Sequence, residues 1–254
     1  MFTDIDGIKE FKKEHRINLI FAVSGDADTK LEKVPESDPL QKDYKRVQEE
    51  RVKRIIIEFL CKFKDLNSQI AILTGGTKGG VPECATKTAK QMGFKTIGIY
   101  PASGKKYFLG DEYIDFSFCV EPVYQSPEQS FRWCTDSCWG DESSLFAKLL
   151  DAVVVIGGSS GTLIEVAYIL KLNKEIKKGK TNYSRLKYIV PISGFGGVSE
   201  GIHTIWCNPD IAESSILSYT FSPDKRKSSG RIYSGIQAAD VLLDTEELNI
   251  WDLY

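Results

Sequence analysis

The chain has 254 residues, of which 42% are hydrophobic, and its 33 basic residues nearly balance 35 acidic ones. This length and apolar content suffice for a hydrophobic core and exclude a chain that is disordered throughout. The net charge of −2 excludes the broad positive field that holds long nucleic acid, although it leaves room for a local basic pocket. Bulk electrostatics therefore favours a small ligand.

Charged residues interrupt the N-terminal segment MFTDIDGIKEFKKEHR, so we expect no secretory signal peptide. No uncharged apolar run approaches the ~18 residues that a membrane span requires. The six scattered cysteines are then expected to be free thiols in a reducing cytosol, which predicts a cytoplasmic protein. Cys134 and Cys138 form a close pair. With two histidines and no second close cysteine pair in the chain, we expect no metal site.

Short apolar runs rich in β-forming residues recur along the chain, and most of them end at glycine or proline. They predict strands at 17–24, 69–73, 96–100, 116–120, 152–156 and 188–192. Helical patterns between these runs predict helices near 42–64, 82–92, 143–150 and 162–172. Residues 239–243 form a last apolar segment, which is either a strand or the start of a helix.

Two segments break this alternation. Residues 26–40 are polar and predict a long loop, and residues 121–142 lack any periodicity. A loop longer than ~12–15 residues inside a compact domain usually carries function or is mobile. The second segment also concentrates aromatic side chains, namely Tyr124, Phe131, Trp133 and Trp139. These aromatics are suited either to stacking on a base and closing as a lid, or to packing in a subunit interface.

Strands that alternate with helices predict an α/β fold: a doubly wound, Rossmann-like and mostly parallel sheet with helices on both faces. No segment has the composition of a linker, so we expect residues 1–254 to form one domain. In such a sheet, ligands bind beyond the carboxyl ends of the strands, near the point where the strand order reverses. The turns that follow the strands are therefore the place to look for chemistry.

Two of these turns, at residues 74–80 and 157–162, are rich in glycine and hydroxyl side chains, and each precedes a predicted helix. Glycine lets the backbone approach an anion closely, and the amides of a helix's first turn stabilise phosphate. Glycine often serves turn geometry alone, but two turns of this composition favour an anion site. Neither turn matches a P-loop or the G-x-G-x-x-G fingerprint, so a standard NAD site is not expected.

We therefore predict a phosphate-binding site at these turns and at the end of the first strand. The predicted binding residues are Ser24, Gly25, Gly75, Gly76, Thr77, Lys78, Gly157, Gly158, Ser159, Ser160, Gly161 and Thr162. For Lys78 and for the segment that begins at Ser24, the alternative is an ordinary solvated loop.

The segment GGSSGTLIE at residues 157–165 resembles the PGGxGTxxE signature of the lonely guy proteins, cytokinin-activating phosphoribohydrolases long mislabelled as lysine decarboxylases. Residues 74–80 and the run IGIYP at 97–101 resemble the other glycine segment of the wider SLOG superfamily. That superfamily includes molybdenum-cofactor carriers and ligand-sensing domains. The resemblance covers roughly residues 17–195 and implies a Rossmann-like fold, a nucleotide-type ligand and a homodimer.

By this resemblance, Glu165 matches a glutamate that acts on the ribose as an N-glycosidic bond breaks. The alternative is that Glu165 only complements the dipole of the helix. The chain departs from the enzymes because Ile156 replaces a proline and Glu142 stands where they carry an arginine. This change reverses the charge at the presumed ribose-phosphate site. Arg132 is the candidate for a replacement cation, with an ordinary exposed arginine as the alternative.

Three hypotheses follow for function. The first is a carrier or sensor that binds a nucleotide or a nucleotide-derived phosphorylated ligand, with no other cofactor expected. The second is a phosphoribohydrolase-like enzyme that uses Glu165, with Arg132 or Glu142 in altered roles. The third is an assembly protein with a vestigial site. The identity of the base stays open, because glycine turns contact phosphate rather than the base.

Overall fold

The computed structural model describes residues 5–27, 37–120, 141–206, 215–220 and 229–253. The strands of its main sheet are β1 Leu19–Gly25, β2 Ile70–Thr74, β3 Lys95–Pro101, β4 Phe116–Val120, β5 Ala152–Ile156 and β6 Tyr188–Ile192. All neighbouring strands pair in parallel, in the order β4-β3-β2-β1-β5-β6. Two further strands of two residues each, β7 Tyr219–Thr220 and β8 Ser229–Gly230, pair antiparallel.

Seven α-helices accompany these strands in the described ranges. They are α1 Ile5–Glu14, α2 Pro39–Cys61, α3 Gly80–Gln91, α4 Asp141–Leu149, α5 Ser160–Lys177, α6 Gly197–Trp206 and α7 Gly235–Leu243. The start of α2 illustrates how local chemistry sets a boundary. The Asp38 side chain accepts a hydrogen bond from the amide of Leu40, and Pro39 occupies the first helical position, where no backbone donor is needed.

The helices cover both faces of the sheet, as the sequence predicts. Successive residues of a strand point to opposite faces. In β1, the buried side chains of residues 19, 21 and 23 share one core with α2, α3 and α7. Those of residues 20 and 22 share a second core with α1, α4, α5 and α6. Because both faces are covered, the strands are apolar almost throughout instead of alternating with polar residues.

The predicted strands at 116–120, 152–156 and 188–192 agree with the structure residue for residue, and the other three shift by one or two residues at their ends. Residues 239–243 are helical and belong to α7. Helices α1 and α6 were not predicted. Among the described side chains of helix α1, Ile8 and Phe11 belong to the core, and this spacing is too sparse for a clear helical period in ten residues.

The two predicted loops are only partly described. Helix α2 already begins at Pro39, within the predicted loop 26–40. Residues 121–140 lie outside the described residues, as do the close pair Cys134 and Cys138, and α4 begins at Asp141. The cysteines that the structure describes are free thiols.

In the described ranges, none of the helices has the length and apolarity needed to cross a bilayer. These ranges also hold no group of three or more His, Cys, Asp or Glu side chains arranged to bind a metal ion.

Close packing of α7 on α2 at Gly235 generates a first prediction. A Cβ atom on this glycine would overlap the carbonyl oxygen of Ile55 and lie 2.5 Å from the amide nitrogen of Phe59. We expect Gly235→Ala to lower the free energy of unfolding by about 1–3 kcal/mol, because α7 must move away from α2.

The matched control is Gly201→Ala in α6, since a Cβ at that position would meet no described atom within 4 Å other than the backbone of α6 itself. Alanine also favours helix over glycine, so the control should be at least as stable as the parent. Urea unfolding followed by circular dichroism measures both variants. A Gly235→Ala variant as stable as the parent chain would show that the contact with α2 is not tight.

Candidate functional site

A cavity of about 250 Å³ lies at the carboxyl edge of the sheet, where strand order reverses around β1. The chain proceeds outward from β1 through β4 and then crosses to β5 on the other side. Turns leaving β1, β2 and β5 therefore meet at one point, which is where open α/β sheets bind ligands. The cavity is lined by Val23, Ser24, Gly25, Ala27, Gly75, Thr77, Pro82, Ile99, Pro101, Glu142, Ser159, Gly161, Thr162 and Glu165.

Ser24 and Glu165 form the direct link across this point. Ser24 is buried near the end of β1, and its hydroxyl donates a hydrogen bond to the Oε2 atom of Glu165. Glu165 is the sixth residue of α5, so it lies in the second turn of that helix. Its side chain reaches back to the cavity because side chains in a helix tilt toward its N-terminus.

The environment of Glu165 favours its protonated form. Burial raises the pKa of Glu165 to about 7, the Ser24 hydrogen bond opposes this rise, and the charge of Glu142 adds to it. Glu142 is the second residue of α4 and lines the same cavity. Glu142 stands where the enzymes that this chain resembles carry an arginine. It thus brings a second carboxylate to the cavity. A carboxylic acid with a pKa near neutrality can donate or accept a proton at physiological pH.

Only part of the first glycine turn, at residues 74–80, lines the cavity. Gly75 and Thr77 line the cavity, whereas Gly76 and Lys78 do not. The amide of Gly76 donates to the Thr74 hydroxyl at 3.0 Å. The amide of Lys78 donates to the Tyr107 carbonyl at 2.8 Å, and the Lys78 side chain is exposed. Lys78 therefore does not line the cavity, and its role in ligand binding stays a prediction.

The second glycine turn requires a similar correction. The amide of Gly157 donates to the Ser199 hydroxyl and that of Gly158 to the Asp26 carboxylate, both at 3.1 Å. Their carbonyl oxygens accept the amides of Ser199 and Val198. Gly157 and Gly158 are buried, and their polar groups attach α6 and the turn after β1 to the end of β5. We predicted that their amides bind phosphate, but protein groups already occupy them.

The backbone amides at the start of α5 are the hydrogen-bond donors that remain for a ligand. Ser159, Gly161 and Thr162 line the cavity, while Ser160 is exposed beside it. The amides of residues 160–162 donate to no acceptor in the part of the chain that the structure describes, and the Ser159 side chain does not cap the helix. Unpaired amides and the positive end of the helix dipole favour an anion here. An anion in the cavity therefore has its binding groups on α5.

Several lining residues were not predicted, and Arg132 cannot be located. Ala27, Pro82, Ile99 and Pro101 line the cavity from the β1 turn, α3 and β3. The position of Pro101 directly after a predicted strand was the signal that would have identified it. Arg132 lies outside the described residues, as do the four aromatic side chains of the 121–142 segment.

Comparison with known proteins agrees with this architecture. Residues 66–186 match the SLOG cluster4 family, which confirms the resemblance to the SLOG superfamily over this segment. No curated protein sequence matches the chain. The crystal structure of TM1055 is similar, with a TM-score of 0.52 at 16% identity, covering 89% of this chain and 99% of that chain. At this identity the likeness shows the fold alone.

Two further solved structures are more distant. The molybdenum cofactor carrier protein of Chlamydomonas reinhardtii has a TM-score of 0.46 at 16% identity, covering 91% of this chain and 97% of that chain. DNA processing protein A of Helicobacter pylori, described as binding single-stranded DNA, has a TM-score of 0.42 at 14% identity, covering 79% and 77%. Neither likeness bears on the function of this chain.

The raised pKa of Glu165 generates the second prediction. Because the folded pKa of about 7 lies above the ordinary value of 4.5, the contribution of this group to stability is full below about pH 4.5. It declines as the pH rises through about 7. Glu165→Gln should remove this decline, so the variant should melt above the parent at pH 8 and close to it at pH 4.

Carbon-13 NMR of labelled glutamate side chains measures the same pKa directly. Glu142→Gln should lower the pKa of Glu165, since a negative neighbour is removed, and Ser24→Ala should raise it, since a hydrogen bond to the carboxylate is lost. Glu10→Gln, at an exposed position of α1, is the control and should leave it unchanged. A Glu165 pKa below about 5 would contradict this description of the site.

Proposed function

From the match of residues 66–186 to the SLOG cluster4 family, we propose that the chain binds a nucleotide or a nucleotide-derived phosphorylated ligand as a carrier or sensor. It does so as one domain spanning residues 1–254. The phosphate contacts the first turn of α5, and the remainder of the ligand fills the cavity beside Ser24 and Glu165. The observation that carries this proposal is the set of α5 amides that find no acceptor among the described residues, at one wall of a cavity at the switch point.

The two carboxylates define the other end of the ligand. Sugar hydroxyls and amino groups donate hydrogen bonds, and carboxylates are their natural acceptors. Glu142 and Glu165 therefore suit the ribose or an amino-bearing base, while the α5 amides suit the phosphate. No lysine or arginine among the described residues lines the cavity. Within the described part of the chain, the groups that suit the phosphate are therefore the backbone amides and the dipole of α5.

Gly161 allows a test of the phosphate contact that leaves the fold intact. Among the described residues, no atom outside the backbone of α5 itself lies within 4 Å of a Cβ at this position, and an acidic residue in the first turn of a helix stabilises it. We expect Gly161→Asp to be as stable as the parent and to lose about tenfold or more of its affinity for nucleoside monophosphates, because the carboxylate repels phosphate. Gly161→Asn, which is nearly isosteric and neutral, should retain most of the affinity.

Calorimetric titration with a panel of nucleoside monophosphates, nucleotide sugars and cyclic nucleotides provides the measurement. A ligand at ~100-fold above its dissociation constant also stabilises the fold by ~2.7 kcal/mol, so a melting shift gives an independent readout. If no member of the panel binds, the nucleotide-binding proposal is wrong and the assembly hypothesis gains. If Gly161→Asp and Gly161→Asn bind equally well, the phosphate does not contact α5.

The second candidate function is hydrolysis of an N-glycosidic bond, as in the phosphoribohydrolases. The observation that favours it is Glu165, whose pKa of about 7 suits a general acid beside a second carboxylate at Glu142. The neutral acid would protonate the departing base, and the neighbouring carboxylate would stabilise positive charge on the sugar. Chromatography of the same incubations detects the released base. Turnover that persists in Glu165→Gln would exclude this role, and binding without turnover supports the carrier or sensor.

The outer face of α5 supports a further part of the proposal, namely a homodimer. Leu163, Ile164 and Tyr168 are 49%, 37% and 41% exposed, and apolar side chains grouped on one helix commonly mark an interface. We expect the chain to sediment as a dimer and Tyr168→Glu to shift it toward the monomer, because a charge would be buried. Sedimentation equilibrium of the parent chain at the monomer mass would refute the dimer.

A further inference from the structure

A second opening lies beside the cavity, between α2 and α3. It has a volume of about 540 Å³, and we refer to it as the α2–α3 groove. Ala27 lines both the groove and the cavity, and Gly79 and Gly80, which line the groove, pack against the backbone of Asp26 and Ala27. The other residues of the groove are Lys45, Arg46, Glu49, Glu50, Lys53, Glu83, Cys84 and Lys87. The two spaces therefore adjoin at the turn that follows β1.

The groove and the cavity differ in charge. Among the described residues, the ionisable groups that line the cavity are the carboxyl groups of Glu142 and Glu165. The groove carries four cationic side chains against three carboxylates. One of the four, Lys53, makes no ion pair with a described residue. A ligand that extends from the cavity into the groove thus passes from carboxyl groups, which accept hydrogen bonds, to cationic side chains.

The two ion pairs that α2 contributes to the groove are exposed and weak, whereas Lys87 pairs closely with Glu83 at 2.5 Å. Lys45 and Glu49 are 4.0 Å apart, and Arg46 and Glu50 are 3.0 Å apart, each pair one helical turn apart on α2 with both side chains more than half exposed. Exposed pairs of this type contribute about 0.3–0.5 kcal/mol. A phosphate group accepts stronger, charge-assisted hydrogen bonds from the same lysine and arginine side chains. The cations are therefore available to a polyanionic ligand.

Lys78 belongs to the surroundings of the groove and not to those of the cavity. The hydrogen bond from Lys87 is the main influence that lowers the pKa of Glu83, and the amide of Gly79 and the charges of Lys87 and Lys78 lower it further. Lys78 therefore acts on a carboxylate that lines the groove. It adds a fifth cation near this opening, which shifts the local balance further toward positive charge.

The sizes point in the same direction. At about 250 Å³ the cavity is smaller than the ~300–1,000 Å³ that small-molecule sites usually occupy, whereas cavity and groove together fall within that range. Three glutamates in the groove and the net charge of −2 disfavour a long nucleic acid. A compact ligand with a concentrated negative charge fits better.

We propose that the α2–α3 groove binds the terminal phosphates of an extended ligand whose nucleoside and first phosphate occupy the cavity, so that the ligand class is a nucleoside polyphosphate rather than a monophosphate. This inference rests on the proposed function, because it takes the cavity as the site of the nucleoside. It assigns a ligand-binding role to Lys45, Arg46 and Lys53 of α2, which lies on the opposite face of the sheet from α5.

Calorimetric titrations with AMP, ATP and inorganic tripolyphosphate, in the presence of a chelator, test the inference. ATP should bind the parent chain at least about tenfold more tightly than AMP, through the added charge-assisted contacts. The double variant Lys45→Gln/Lys53→Gln should lose about tenfold in affinity for ATP and tripolyphosphate while AMP binding is unchanged. Lys42→Gln is the matched control, an exposed lysine of the same helix that does not line the groove.

The outcomes separate this inference from the proposed function. AMP binding that is sensitive to Gly161→Asp, with ATP no tighter than AMP, would overturn the groove and keep the nucleotide site. Tripolyphosphate binding that is lost only in the double variant, with no nucleotide bound, would support the groove as an anion site and refute the nucleoside site. Equal losses in Lys42→Gln and the double variant, or a single-stranded oligonucleotide that binds more tightly than ATP, would overturn the inference.

Discussion

The structure depends on the contacts that join the end of β1 to the end of β5. β1 and β5 are neighbours in the sheet but distant in sequence. Because they run parallel, no short turn connects them directly. Ser24 reaches Glu165 on α5, and Asp26 reaches the amide of Gly158. The same Asp26 accepts the amide of Val81 through its carbonyl oxygen. One short segment after β1 therefore positions both α3 and α5 around the cavity.

The glycines at this edge have two separate roles. At Gly158, where φ is +105°, and at Gly197, whose Cβ would overlap the Gly158 carbonyl oxygen, glycine permits close packing of the second turn against α6. Gly161 has open space around it in the described part of the chain and lies among amides that find no acceptor there. The glycine-rich segment at residues 157–162 looks uniform in sequence. Its first residues nevertheless pack against α6, whereas its last residues are suited to a ligand. The division occurs where the backbone enters α5.

Charge is distributed unevenly over the carboxyl edge. Carboxylates occur on the α4 and α5 side, and cations concentrate between α2 and α3 on the other. An anion near Glu142 and Glu165 is tolerated only if it contacts the helix terminus or if one carboxyl group is protonated, as the raised pKa of Glu165 allows. Because of this uneven charge, we expect a ligand to lie across the edge of the sheet with its more negative end toward α2 and α3.

Local sequence patterns were sufficient to predict the fold class, the six parallel strands and the three turns that surround the candidate site. Apolar runs punctuated by glycine and proline are a local signal, and strand ends on one edge follow from parallel pairing. The sequence also identified Ser24, Glu165 and the start of α5 as neighbours of one cavity. The folded structure was needed to show which amides are already occupied, that Lys78 does not line the cavity, and that α2 contributes cations beside it. Those outcomes depend on contacts between residues far apart in the chain, such as Asp26 with Gly158 and Ser199 with Gly157, and local patterns carry no information about such pairs.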